Sequence, residues 1–112
     1  MAAVVDALPL EPHMKVLEIG CGPGAAARAI AARLTSGSIL AIDRSATAVT
    51  QAETADAQEI AAGRLRVRQA ALEDFIPRPD ERPFELAFAD VGRLREPRRQ
   101  TRCGEGVAAA RC

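Results

Sequence analysis

The chain has 112 residues, and its fifteen basic and fifteen acidic side chains cancel to a formal net charge of zero, which allows one small domain with a core that needs no staples. Cys21, Cys103 and Cys112 form no close pair and His13 is the single histidine, so the usual metal-ligand spacings are excluded and no metal is expected. No stretch approaches the ~20 apolar residues of a membrane span, and Asp6 interrupts a short apolar start that carries no positive end; neither a signal peptide nor a membrane partner is expected, and the chain reads as cytoplasmic.

In chain order, residues 2–8 read as the remnant of a helix, closed by Pro9 and Pro12. Residues 16–19, Val-Leu-Glu-Ile, form a short apolar run of the kind buried on both faces of a parallel sheet, and would be the first strand. Three glycines at alternate positions follow, Gly20, Gly22 and Gly24, separated by Cys21 and Pro23. Glycines directly after a strand let the backbone turn sharply and approach a ligand closely. Residues 25–34 then read as a helix with Ala26, Ile30 and Leu34 along one face, and Gly37 marks the turn out of it. Strand, glycine loop and helix together put free backbone N–H groups at a ligand site.

Residues 39–42 are a second apolar run that Asp43 ends; after Arg44, Ser45 is placed to cap a helix reaching Gly63. Leu65 and Val67 alternate with Arg64, Arg66 and Arg68, which predicts a third strand with one wet face, as at a sheet edge. Residues 70–83 contain Pro77, Pro79 and Pro83 and read as a loop with room for one helical turn. Residues 84–89 form a fourth strand that Asp90 closes. Strands alternating with helices predict an α/β fold, a Rossmann-like parallel sheet with flanking helices and about four strands.

The charge balance divides near Gly92: nine basic and thirteen acidic residues lie before it and six and two after it, a net of −4 against +4. The tail has neither an aromatic residue nor regular spacing, so it reads as solvated and nucleic acid is not an expected partner.

The segment Glu18-Ile19-Gly20-Cys21-Gly22-Pro23-Gly24, with its apolar lead-in, resembles motif I of the class I S-adenosylmethionine-dependent methyltransferases, whose pattern is acid-x-Gly-x-Gly-x-Gly at the end of the first strand. The resemblance implies a methyltransferase that uses S-adenosylmethionine. In that family the glycine backbone lies against the methionine and ribose portions of the cofactor, a role that carries over to Gly20, Cys21, Gly22 and Gly24. Glu18 would hold the cationic methionine end, and Asp43, nineteen positions beyond Gly24 and with Arg44 beside it, would accept hydrogen bonds from both ribose hydroxyls. After the third strand, where relatives commonly place an acid or amide for adenine, Ala71 and Leu72 would offer a backbone N–H and apolar cover, and Glu73 or Asp74 would reach the exocyclic nitrogen. Asp90 stands where many relatives face the acceptor, and is a candidate base for acceptors that need one.

Full-length members of that family continue after the fourth strand with a helix, a fifth strand and an antiparallel pair. Residues 93–112 offer no fifth strand, so residues 1–92 are expected to be a partial cofactor-binding domain of a truncated or frameshifted product, with 93–112 an irregular basic tail outside the family fold; a short helix at 106–111 is the alternative. The open edge of the fourth strand would invite self-association. The favoured methyl acceptor is a small molecule. Two other functions compete: an NAD(P)-binding oxidoreductase domain, because Gly20-x-Gly22-x-x-Ala25 also fits the dinucleotide fingerprint, and a non-catalytic remnant. Glu18 and Pro23 favour the methyltransferase over the dinucleotide fold.

Overall fold

The computed structural model describes residues 5–81, 83–90 and 107–110, the last four and Asp90 by their backbone. Among the described residues five strands form one sheet in the order β3-β2-β1-β4-β5. They are β1 (Lys15–Ile19), β2 (Ser38–Asp43), β3 (Leu65–Gln69), β4 (Leu86–Asp90) and β5 (Val107–Ala110). The first four are parallel, with Leu17 of β1 opposite Leu40 of β2 and Ala87 of β4. This is the Rossmann-like architecture that the alternation of strands and helices predicts.

The fifth strand corrects the sequence reading. Residues 93–112 showed no strand pattern, yet Val107–Ala110 runs antiparallel to β4, with Ala109 opposite Phe88. Four small or β-branched residues carry too short a signal to be told from a helix by periodicity, and the unpaired edge of β4 supplies the hydrogen-bonding partner that the segment itself does not announce. That edge is therefore occupied by β5, and the reason for expecting self-association through it is removed. The helix considered for 106–111 is replaced by this strand at 107–110; residues 93–106 lie outside those described.

Chain order and handedness set the two layers. Steps from β1 to β2 and from β2 to β3 carry α1 (Ala25–Ala31), α2 (Ala46–Ala55) and α3 (Ala57–Ala61); right-handed crossovers in one direction put such helices on one face. Val16, Ile39, Ala41, Leu65, Leu86 and Phe88 accordingly share a core with Ala26, Ile30 and Ala52, joined by Val5, Leu8 and Met14 from the segment before β1. The return from β3 to β4 passes over the opposite face. Among its described residues it contains no α-helix, only two 3₁₀ turns at Leu72–Asp74 and Pro79–Glu81, and it covers Leu17, Leu40 and Ile42 with Phe75 and Phe84.

Boundaries moved for identifiable reasons. The helix expected to reach Leu34 ends at Ala31, because Arg33 and Leu34 donate to the carbonyls three residues back, Ile30 and Ala31, and tighten the last turn; Leu34 is still fully buried. The helix expected from Ser45 to Gly63 starts on the predicted cap, with the Ser45 hydroxyl accepting from the Ala48 N–H at 3.1 Å, but breaks at Asp56, whose φ of −107° and ψ of 23° are not helical. Gly63 ends it in a left-handed conformation. β3 lies at the sheet edge as its arginine alternation predicts.

Candidate functional site

A cleft of about 400 Å³ opens at the carboxyl ends of the strands, between the loop after β1 and the start of the β3–β4 crossover. Ile19, Ile42 and Ala89 line it from the strand ends, Gly20, Asp43 and Arg44 from one side, and residues 70–73 from the other. Its position follows from the topology: β1 leads to β2 on one side and lies beside β4 on the other, so loops leave in opposite directions and a crevice remains. The volume lies within the range of small-molecule sites.

Backbone geometry fixes the first side. Gly20, Gly22 and Gly24 all have positive φ, 80°, 54° and 92°, which side chains rarely tolerate. The N–H groups of Gly20 and Cys21 both donate to the Ile42 carbonyl, at 2.8 and 3.1 Å, and lash the loop to the end of β2. Asp43 completes the link. Its Oδ2 accepts the Gly22 N–H at 2.9 Å and its Oδ1 accepts the Ser45 N–H at 2.9 Å. The Asp43 carbonyl takes the Ala70 N–H at 2.9 Å, which ties the opposite side of the cleft to the same residue.

Side chains hold the second side. Arg44 Nη2 lies 3.2 Å from Glu73 Oε2 in an exposed ion pair that joins the two sides, and Gln69 Nε2 donates to the Arg44 carbonyl at 3.2 Å. Leu72 is half exposed at the cleft. Further along the crossover, Glu81 is buried against Arg68, which grips both of its carboxylate oxygens, against Arg66 at 3.5 Å, and against the Arg78 N–H at 2.9 Å. The Arg68 guanidinium lies 5.9 Å from the centre of the Phe75 ring, and Phe75 packs on Phe84 at 6.4 Å. These contacts hold down a crossover that has no α-helix among its described residues.

Of the residues singled out in the sequence, Gly20, Asp43, Arg44, Ala71, Leu72 and Glu73 meet around this cleft. Glu18, Cys21, Gly22 and Gly24 do not line it. Glu18 is 1 % exposed and alternation places it on the helix face of β1. Cys21 lies in the core, its thiol 3.5 Å from the Gly22 carbonyl, and Gly22 supports Asp43 from behind. Gly24 caps α1, and a Cβ there would stand 2.5 Å from Asp56 Oδ2 and 3.0 Å from Ala52 Cβ, so packing against α2 already requires a glycine. Asp90 closes β4 at the same end of the sheet; its side chain lies outside those described. Sequence reasoning missed the apolar lining residues Ile19, Ile42, Ala70 and Ala89, which nothing distinguishes from core, and it missed the Asp56–Arg28 pair, whose only trace is an aspartate inside an expected helix. Among the described residues no three His, Cys, Asp or Glu side chains are placed to hold a metal ion, and no helix is long and apolar enough to cross a membrane.

A parallel sheet with a positive-φ glycine loop bonded to an acid at the end of the next strand defines a Rossmann-like domain. Residues 16–110 match the family model described as a methyltransferase domain, and the chain belongs to that family. The match extends past residue 92 and takes in β5. Solved structures agree at the level of fold. A protein-L-isoaspartate O-methyltransferase superposes with a TM-score of 0.65 at 19 % identity, covering 80 % of this chain and 27 % of its own. The [4+2]-cyclase SpnF gives 0.61 at 24 %, covering 77 % and 30 %. A methyltransferase from Thiobacillus denitrificans, in complex with S-adenosyl-L-homocysteine, gives 0.55 at 25 %, covering 68 % and 30 %. The chain thus spans less than a third of the length of each of these three. No curated protein matches it.

Proposed function

We propose that this chain binds S-adenosylmethionine in the cleft between Gly20 and Ala71 and provides the cofactor half of a methyl-transfer site. The observation that carries the reading is the bond between the Gly22 N–H and Asp43 Oδ2, which joins glycine loop and strand-end acid into one rigid unit beside the cleft. The residues fit the cofactor. Each Asp43 oxygen has one backbone N–H and retains a lone pair for a hydroxyl, the pattern a vicinal ribose diol needs. Gly20 lines the cleft with no side chain to fill it, and Leu72 and Ala71 offer apolar cover across from Asp43.

When bound, the cofactor would supply a sulfonium methyl group, which an acceptor takes by in-line displacement with the neutral thioether as leaving group. This chain's share of that chemistry is positioning. Asp43 orients the ribose, the Gly20 backbone sets how closely the cofactor sits on β1, and residues 71–73 close the other side. Asp90, at the end of β4, is the base we assign for acceptors that must lose a proton. We take the acceptor to be a small molecule and the setting to be the cytoplasm.

Isothermal titration with S-adenosylhomocysteine tests the reading. Saturable one-to-one binding is expected, with no heat from NADH, and Asp43→Ala abolishes the signal because it removes the ribose acceptor and the brace on Gly22. Absence of binding by the unmodified chain would remove the cofactor assignment, a response to NADH alone would restore the dinucleotide reading, and undiminished binding by Asp43→Ala would remove the role of Asp43.

A further inference from the structure

Behind the glycine loop lies a carboxylate that the cofactor site does not use. Asp56 has no exposed surface. It stands at the break between α2 and α3, and its side chain turns inward. Oδ1 accepts from Arg28 Nη1 of α1 at 2.8 Å. Oδ2 has no hydrogen-bond partner among the described residues and sits where a side chain on Gly24 would be.

This arrangement destabilises the fold. A buried carboxylate with one oxygen unsatisfied loses its hydration and regains only part of it from a single guanidinium, and Arg28 is itself 45 % exposed. Burial pushes the Asp56 carboxyl up from its ordinary value, the Arg28 hydrogen bond and charge pull against that, and Glu59 on α3 adds a smaller upward push. From α2 the neighbour is Ala52, which carries no charge. An asparagine would fill the same space without the buried charge.

What Asp56 touches shows what it could be kept for. Gly24 ends the glycine loop, and its N–H donates to the Cys21 carbonyl at 3.1 Å, so residues 21–24 form one hydrogen-bonded turn. In that turn Gly22 holds Asp43. Asp56 thus meets the loop at one end and holds α1 through Arg28, while the other side of the same turn braces the cleft.

We propose that Asp56 is a positioning residue for the cofactor loop, fixing residues 21–24 against Asp43 through Arg28 and its contact with Gly24, and so raising cofactor affinity at the expense of fold stability. The inference rests on the cofactor reading above. Its signature separates it from a structural role, because removing the charge weakens binding while leaving the fold as stable or more so.

The test compares the full chain with Asp56→Asn and Arg28→Lys by S-adenosylhomocysteine titration, thermal unfolding and amide NMR, from neutral pH downward. Asp56→Asn is expected to weaken binding about tenfold, to abolish the loss of affinity that the unmodified chain shows on acidification, and to leave Tm equal or higher. Arg28→Lys keeps most of the affinity. The Gly22 and Gly24 amide signals of the unmodified chain move on acidification, and those of Asp56→Asn sit near the acid-end positions already at neutral pH. Binding by Asp56→Asn equal to that of the unmodified chain overturns the proposal, as does a loss of affinity that merely follows a lowered Tm. If the unmodified chain takes up no S-adenosylhomocysteine, the cofactor reading fails by itself; glycine signals that then coincide in the two chains at every pH also remove the coupling of Asp56 to the loop.

Discussion

The two sides of the cleft are built in opposite ways. On the β1–β2 side the backbone does the work: the Gly20, Cys21 and Gly22 N–H groups all end on residues 42 and 43, and the loop has no freedom that the strand ends lack. On the crossover side the described residues between 70 and 85 carry only two short 3₁₀ turns, and side chains hold them in place, chiefly Glu81 between Arg66 and Arg68. Backbone anchoring preserves a geometry whatever the exposed side chains become. Side-chain anchoring makes one buried carboxylate central to the placing of a segment, and links that segment to pH.

The contrast can be broken from either side. The largest effect is expected from Gly24→Ala, which places a methyl group on a backbone of φ 92° and within 2.5 Å of a buried carboxylate oxygen; strain and overpacking together cost about 4 kcal/mol, to be read from urea unfolding. A loss under about 1 kcal/mol would mean that the loop gives way and is not the rigid side.

Glu81→Gln addresses the other side. The Arg68 hydrogen bond, against opposition from burial and with help from the Arg78 N–H and the charges of Arg68 and Arg66, holds the Glu81 carboxyl down at about 2 from 4.5. The folded value lies below the unfolded one, so this stabilisation is complete above about pH 4.5 and is lost as the pH falls toward 2. The variant should lose about 3 kcal/mol at neutral pH, and the Tm curves of the two chains should converge in acid. Parallel curves down to the lowest pH would show that Glu81 does not anchor the crossover electrostatically.

The smallest effect belongs to the bridge between the two sides. Arg44 and Glu73 are both about 70 % exposed, so Arg44→Gln should weaken S-adenosylhomocysteine binding by no more than about fivefold, and the difference should vanish in high salt. A larger, salt-independent loss would mean that Arg44 touches the cofactor itself.

Much of the first side was legible because it is local. Three glycines directly after an apolar run, an acid at the end of the next run and a serine cap two residues later are neighbours in sequence as well as in space, and the short-range physics of turns and caps fixes them. The four parallel strands follow from the same alternation. The crossover was legible only as proline-rich loop: that Glu81 reaches back to Arg68 is a contact across thirteen positions, and nothing in the local pattern distinguishes it from the solvated acids around it.

By itself the sequence determined the four parallel strands, their order of use, the positive-φ loop and the family to which these belong, since those rest on periodicity and on what glycine alone tolerates. The tertiary structure decided the rest. It set Gly24 against Asp56 and so gave the third glycine a packing reason, turned Glu18 and Cys21 away from the cleft, and paired 107–110 with β4 where the local sequence showed no strand. In each case the deciding partner is remote in the chain, and burial and pairing between remote segments leave no mark on either segment read alone.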